Sequence, residues 1–288
     1  MASESEPSAS QSNPIPASVY HEADMGAAWS RGAAVRGREF EAATALMLDL
    51  GLLGSGDRVL DVGAGTGETA LLAAERVGPT GSVLATDIAA PMLDVAAEAL
   101  RRAGLSNVET RLMDARDLDL PSESFDAVIS RLAIMLIPDR QRALAEMHRV
   151  LKPGGRLAVV VWSTGERNLG SFLPLSIGRR HANLLPPPTD HPGMFSLGPP
   201  GLLERALIEA GFRGVSVRAV PTTRSFPSID AMLQYLTGAA PLLREALSKV
   251  DDIGRAAMLD EIAGTMRLFE GPDGVSIPGE LLVGAGIK

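Results

Sequence analysis

The segment Val59-Leu60-Asp61-Val62-Gly63-Ala64-Gly65-Thr66-Gly67-Glu68 reads as a β-strand that passes through three glycines straight into a helix. The same alternation repeats outward from it. RVLDV (58–62), SVLATD (82–87), NVETRL (107–112), FDAVIS (125–130) and RLAVVVW (156–162) are β-type runs, and helical patterns lie between them at 68–77, 90–103 and 139–151. Leu151-Lys152-Pro153-Gly154-Gly155 reads as a helix stop and a tight turn into the fifth strand. Nearly continuous apolar strands separated by helices of this length imply a sheet covered on both faces. The expected fold is α/β, a doubly wound and mostly parallel sheet.

The flanks complete the organisation. Residues 1–18 are rich in Ser, Pro and Glu and too poor in apolar residues to offset ordering entropy, so a disordered tail is expected there. Residues 19–51 read as an N-terminal helical lid, because Ala28, Val35, Phe40, Ala43, Leu46, Met47 and Leu50 recur at helical spacing before Gly51. Residues 52–162 form the core, and 163–288 the remaining strands with helical inserts. Within that last part, 163–198 reads as loop, 200–210 as a helix and 213–220 as a strand. Helices follow at 228–237, 241–250 and 254–269, then the turn Glu270-Gly271-Pro272-Asp273-Gly274, and a last strand over 281–285.

Composition narrows the chemistry. In 288 residues there are 27 Lys+Arg against 35 Asp+Glu, a formal charge of −8, and no extended basic cluster to carry phosphate contacts, which argues against nucleic acid. The chain has no cysteine, which removes disulfides, thiolate nucleophiles and Cys-ligated metals. No apolar run approaches the roughly 18 residues of a membrane span, and no secretory signal is visible. A cytoplasmic protein is the expectation.

A strand-end glycine turn lets backbone approach a ligand closely, and a helix N-terminus favours negative charge. A dinucleotide fingerprint places a third glycine where this chain has Glu68. A carboxylate there is expected to repel a pyrophosphate, so the turn points to a nucleoside without phosphates. Asp87 lies at the end of the second strand, about 20 residues beyond Gly67, where a carboxylate accepts hydrogen bonds from ribose hydroxyls. Asp114-Ala115 follows the third strand, where an acid can meet an adenine amino group between apolar Ile88, Met92 and Met113. Acids at three strand ends (Asp61, Asp87, Asp114) suit a cationic adenosine ligand.

VLDVGAGTGE, TDIAAPML, DARDLDLPSESFDAVIS and LKPGGRLAVVVW, in this order over residues 58–162, resemble the class I S-adenosylmethionine-dependent methyltransferases. Within them the chain is most similar to the quinone-biosynthesis C-methyltransferase-like group acting on small molecules. The resemblance implies a seven-stranded Rossmann-like sheet and S-adenosylmethionine as cofactor. It implies Gly63, Ala64 and Gly65 along the methionine part, Asp61 near its ammonium, and Asp87 on the ribose. It also implies Ile88 and Met92 on the adenine and Asp114 with Ala115 at its edge. Arg131 falls where the family lines the methionine moiety and the substrate entrance; Tyr20 and Trp29 fall in the region that often closes over the cofactor.

The implied reaction is methyl transfer to the C or O atom of a small, largely apolar acceptor, without a metal. Ser130-Arg131-Leu132 supplies no acidic metal ligands after the fourth strand, and the Asn/Asp-Pro-Pro-aromatic motif of base amino-methylation is absent there. If the acceptor must lose a proton, His191 and His181 are the nominated bases. Phe172, Leu173, Met194, Phe195, Phe226, Met232, Tyr235 and Leu236 offer an apolar acceptor lining or, equally, packed core. Two other readings stay open: an NAD-dependent oxidoreductase that keeps Asp87 as its ribose ligand, and a non-methylating binder on the same fold. The acceptor itself and the oligomeric state are not legible.

Overall fold

A computed structural model describes residues 25–185 and 191–288. The parallel strands are β1 (Arg58–Val62), β2 (Ser82–Asp87), β3 (Val108–Leu112), β4 (Phe125–Arg131) and β5 (Leu151–Trp162). They are followed by β6 (Arg213–Phe226), the two-residue β7 (Glu270–Gly271) and β8 (Gly274–Ile287). The sheet order is β3-β2-β1-β4-β5-β8-β6, with β7 paired to β8 off this path. β8 runs antiparallel to both neighbours. The helices are α1 (Met25–Arg31), α2 (Ala33–Leu50), α3 (Glu68–Val77), α4 (Ala90–Arg102) and α5 (Arg140–Val150). Then come α6 (Leu169–His181), α7 (Leu202–Glu209), α8 (Ile229–Ala239), α9 (Pro241–Ser248) and α10 (Asp252–Met266). Strand order reverses between β1 and β4, and in such sheets the crevice outside those two strand ends is where ligands bind.

Central strands are buried on both faces: Val59, Leu60, Val128, Ile129 and Leu157 through Val161 are essentially inaccessible. This is why their sequence is continuously apolar. At the edge, β3 instead carries exposed Glu109 and Arg111, ion-paired at 2.8 Å, and charge on an edge strand discourages pairing with other chains. Among the described residues, no helix is long and apolar enough to cross a membrane.

Three expectations change. The helical run expected through Ala27–Leu50 is two helices broken at Gly32, where an added Cβ would sit 2.7 Å from the Arg36 guanidinium and 2.8 Å from the Tyr235 ring. Residues 169–181, read as loop, are helix α6; its Gly170 and Gly178 admit Ile277 of β8 and Leu243 of α9 at close range. The last two long strands are far longer than read. They pair from Arg213↔Ile287 to Phe226↔Val275, while β5 stops at Trp162↔Leu281. The ribbon therefore overshoots the sheet, and on its far end α6, α8, α9 and α10 gather a second core around Phe226, Met232, Leu243, Met258, Ile262 and Ile277. The tail expected over 1–18, together with Tyr20 and 186–190, lies outside the described residues.

Candidate functional site

The turn after β1 is left-handed at Gly63 (φ 72°), Gly65 (56°) and Gly67 (84°), a region that disfavours any side chain. Two of these glycines also serve packing. A Cβ on Gly63 would lie 2.3 Å from Ala133 Cβ, and one on Gly67 2.9 Å from Ala96 Cβ. At Gly65 the nearest atom would be Met92 Cε at 3.5 Å, so that position opens toward the cavity. The Gly63 and Ala64 amides donate to the Thr86 carbonyl at 2.8 and 2.9 Å. Asp87 Oδ2 accepts from the Gly65 amide (2.8 Å) and Oδ1 from the Ala89 amide (2.9 Å). The carboxylate at the β2 end thus stitches the glycine turn to the start of α4.

Asp61, at the end of β1, is fully buried, and neither carboxylate oxygen has a hydrogen-bond partner among the described residues. Burial raises its pKa to about 7, with Arg131 pulling it down and Asp87 pushing it up. A buried carboxyl without a partner is costly, and this one is not among the residues that line the cavity. What fits a nucleoside here is the open backbone at Gly65 with the Asp87 carboxylate beside it.

Glu68 behaves otherwise than expected. Its oxygens take Arg36 Nη2 and Arg131 Nη2, each at 2.7 Å, so two guanidinium groups offset its charge at the head of α3. The pyrophosphate repulsion argued for it is cancelled. Arg36 is only 2% exposed; it donates to the Trp29 carbonyl at 2.7 Å and stacks over the Trp29 ring at 4.2 Å. Arg131 also donates to Thr44 Oγ1 of α2 at 3.1 Å. Burial pulls its pKa down, while Glu68 and Asp61 push it up. One carboxylate thus ties both N-terminal helices to the sheet.

On the adenosine side, Ile88, Met92, Met113 and Ala115 line the cavity, with Asp114 beside them. Asp114 is clamped by Arg116, whose Nη2 lies 2.6 Å away and whose amide donates at 2.9 Å. The Arg116 hydrogen bonds hold this carboxyl below the usual range. Any base edge met here faces an acid–guanidinium pair, a wider donor and acceptor set than a lone acid.

The cavity, about 710 Å³, runs from the glycine turn to the inserted helices. Of the apolar residues nominated for its far end, Met194, Tyr235 and Leu236 line it. Phe226 and Met232 instead form the second core, with Leu173 packed on it, and Phe172 meets Phe195 edge-on at 6.2 Å. His191 lines the cavity. His181 does not: α6 turns it toward α10, and its Nε2 lies 2.8 Å from Glu261 Oε2, so its nomination as a base is withdrawn.

Sequence reasoning missed Arg36, Phe40, Trp162 and Arg224, all on the cavity wall. Arg224 Nε donates to Glu39 Oε2 at 2.8 Å, and the two partners stand 185 residues apart in the chain, so no local pattern announces the pair. The burial of Arg36 and Glu39 on an otherwise apolar helix face is the one signal available, since charge at a core-facing position asks for a partner.

A family model described as a methyltransferase domain matches residues 59–155. The chain is 31% identical over 229 residues to nocamycin O-methyltransferase of Saccharothrix syringae, covering 75% of this chain and 80% of that protein. It is 45% identical over 108 residues to the ubiquinone/menaquinone biosynthesis C-methyltransferase of Bordetella parapertussis, covering 38% of this chain and 42% of that protein. A Bacillus halodurans crystal structure described as a methyltransferase shares the fold at a TM-score of 0.59 and 21% identity, over 86% of this chain and 99% of that one.

Proposed function

The chain belongs to the class I S-adenosylmethionine-dependent methyltransferases, and from that premise we propose that it methylates a C or O atom of a small, largely apolar acceptor held beneath the inserted helices. The observation that carries this reading is the single cavity joining the Asp87-anchored glycine turn to an apolar far end lined by Pro174, Leu175, Tyr235 and Leu236.

When bound, S-adenosylmethionine supplies a methyl group on a sulfonium, already activated for in-line displacement. The chain's own residues bind, align and exclude water. Asp87 receives the ribose hydroxyls while holding the Gly65 amide. Gly63, Ala64 and Gly65 give the methionine part close backbone passage, and Asp61 is assigned as the charge complement of its cationic end. Ile88 and Met92 sandwich the adenine against Ala115, with Asp114 and Arg116 at its edge. Arg131 closes the methionine end through Glu68. Trp29 lies over the adenosine side, packed on Ala89 and Met92. His191, at the cavity wall, is the residue positioned to take a proton from an acceptor that must lose one.

Calorimetric titration with S-adenosylmethionine, S-adenosylhomocysteine and NAD, followed by mass spectrometry of a panel of phenols, enols and quinols incubated with the protein, tests the reading. Binding of both adenosyl ligands and one methylated product are expected. Heat from NAD alone defeats it, and cofactor binding with no methylation across the panel favours a non-methylating binder.

A further inference from the structure

At the far end of the cavity one side chain stands apart from its apolar surroundings. Arg224, on the overshooting part of β6, is 6% exposed yet lines the cavity. Its Nε is held by Glu39 at 2.8 Å and its Nη1 by Ser171 Oγ at 3.2 Å. The guanidinium lies 5.6 Å from the Trp162 ring and 5.7 Å from the Tyr235 ring. A guanidinium has five N–H donors and no acceptor, so three of them, two on Nη2 and one on Nη1, have no partner among the described residues. Ser171, which lines the same wall, keeps its own hydroxyl proton for a further bond.

Glu39 fixes the plane of the guanidinium and offsets its charge, which makes the burial tolerable. What remains is a rigid fork of donors between two aromatic rings. Such a fork matches two oxygens of one planar group, and the rings accept a flat apolar body. A donor-only group such as an ammonium finds no acceptor on the guanidinium.

We propose that Arg224, with Ser171, is the acceptor-recognition site of this enzyme, taking the paired oxygens of a planar acceptor that carries a carboxylate or an enolised dicarbonyl. The inference rests on the methyltransferase reading, because it assigns the acceptor half of the same cavity. It names the acceptor class that reading leaves open: a flat, apolar molecule with an oxyanion at one end.

The test is titration of the protein, preloaded with S-adenosylhomocysteine, with naphthoate and with its neutral isostere naphthamide, followed by tryptophan fluorescence. Naphthoate is expected to bind about tenfold more tightly than the amide, as two charge-assisted bonds allow. Arg224→Met removes that preference while S-adenosylhomocysteine still binds. Glu39→Gln retains the donors, releases the full charge of Arg224, and tightens naphthoate about fivefold; this variant decides the matter if Arg224→Met does not fold. Equal affinity for the two probes, a preference that survives Arg224→Met, or an unchanged naphthoate affinity in Glu39→Gln overturns the proposal. Failure of S-adenosylhomocysteine to bind the wild-type protein marks a different failure, that of the methyltransferase reading itself.

Discussion

Around the half of the cavity proposed for the cofactor the wall is backbone: glycines with positive φ and amides bonded to Thr86 and Asp87, with Asp87 and Asp114 beside them. Around the half proposed for the acceptor it is side chain: the rings of Trp162 and Tyr235, aliphatic residues of α6, α8 and α9, and a buried guanidinium. Backbone geometry tolerates few residue types at each position, so the first half leaves a readable trace in the sequence. A side-chain wall accepts many apolar residues of similar volume, so the second half leaves almost none. The difference also predicts where function varies: cofactor binding is pinned by the sheet, whereas acceptor choice sits on replaceable surfaces.

The sharpest way to break this comparison lies at Asp61. Its carboxyl has an ordinary pKa of 3.8 in the unfolded chain and about 7 in the folded protein. The folded state therefore holds the proton more tightly, and the stability this confers is complete below pH 4 and lost as pH rises through 7. Unfolding free energies of the cofactor-free protein should fall by up to about 4 kcal/mol across that window, and Asp61→Asn should flatten the profile. A flat wild-type profile would show that the buried carboxyl is not without a partner in the folded protein.

Next comes the glycine turn. Gly63→Ala drives a Cβ into Ala133 at 2.3 Å on a left-handed residue, and a loss of about 3 kcal/mol is expected in denaturant melts; a loss below about 1 kcal/mol would show that the turn adapts. Met232→Ala empties a fully buried site in the second core and should cost about 3 kcal/mol, while S-adenosylhomocysteine affinity in calorimetry stays near wild type. Equal damage to both would mean the two halves are one cooperative unit.

A smaller effect follows from Asp87→Ala, which loses the ribose contacts and frees the Gly65 amide. Cofactor affinity should weaken by about 2 kcal/mol, and unchanged affinity would refute the role. The smallest is His191→Gln, for which a fall of about tenfold in turnover is expected on an acceptor that must lose a proton, and none on a preformed carboxylate.

The sheet core was legible because each of its signals is local. Apolar runs mark strands buried on both faces, and the Asp61, Asp87 and Asp114 positions fall at or just past the strand ends. Helix α6 escaped because Gly170, Pro174 and Gly178 read as breakers, yet the glycines are there to let Ile277 and Leu243 approach. The Glu68 charge misled for a related reason: its partners come from residues 36 and 131, and no local pattern announces two guanidiniums arriving from other elements. Arg224 was invisible because it lies beyond the strand read at 213–220, where an isolated arginine reads as solvent-facing by default.

The overshooting ribbon has a consequence for how such a molecule diversifies. Helices α8 to α10 leave the sheet after Phe226 and the chain returns at Gly274, the two ends beside one another across the ribbon, since Phe226 pairs with Val275. A segment whose two ends already touch adds little closure entropy when it is exchanged for another of different length. The block between them can therefore be swapped as a cassette, with the parallel sheet and its cofactor turn left as an unchanged chassis.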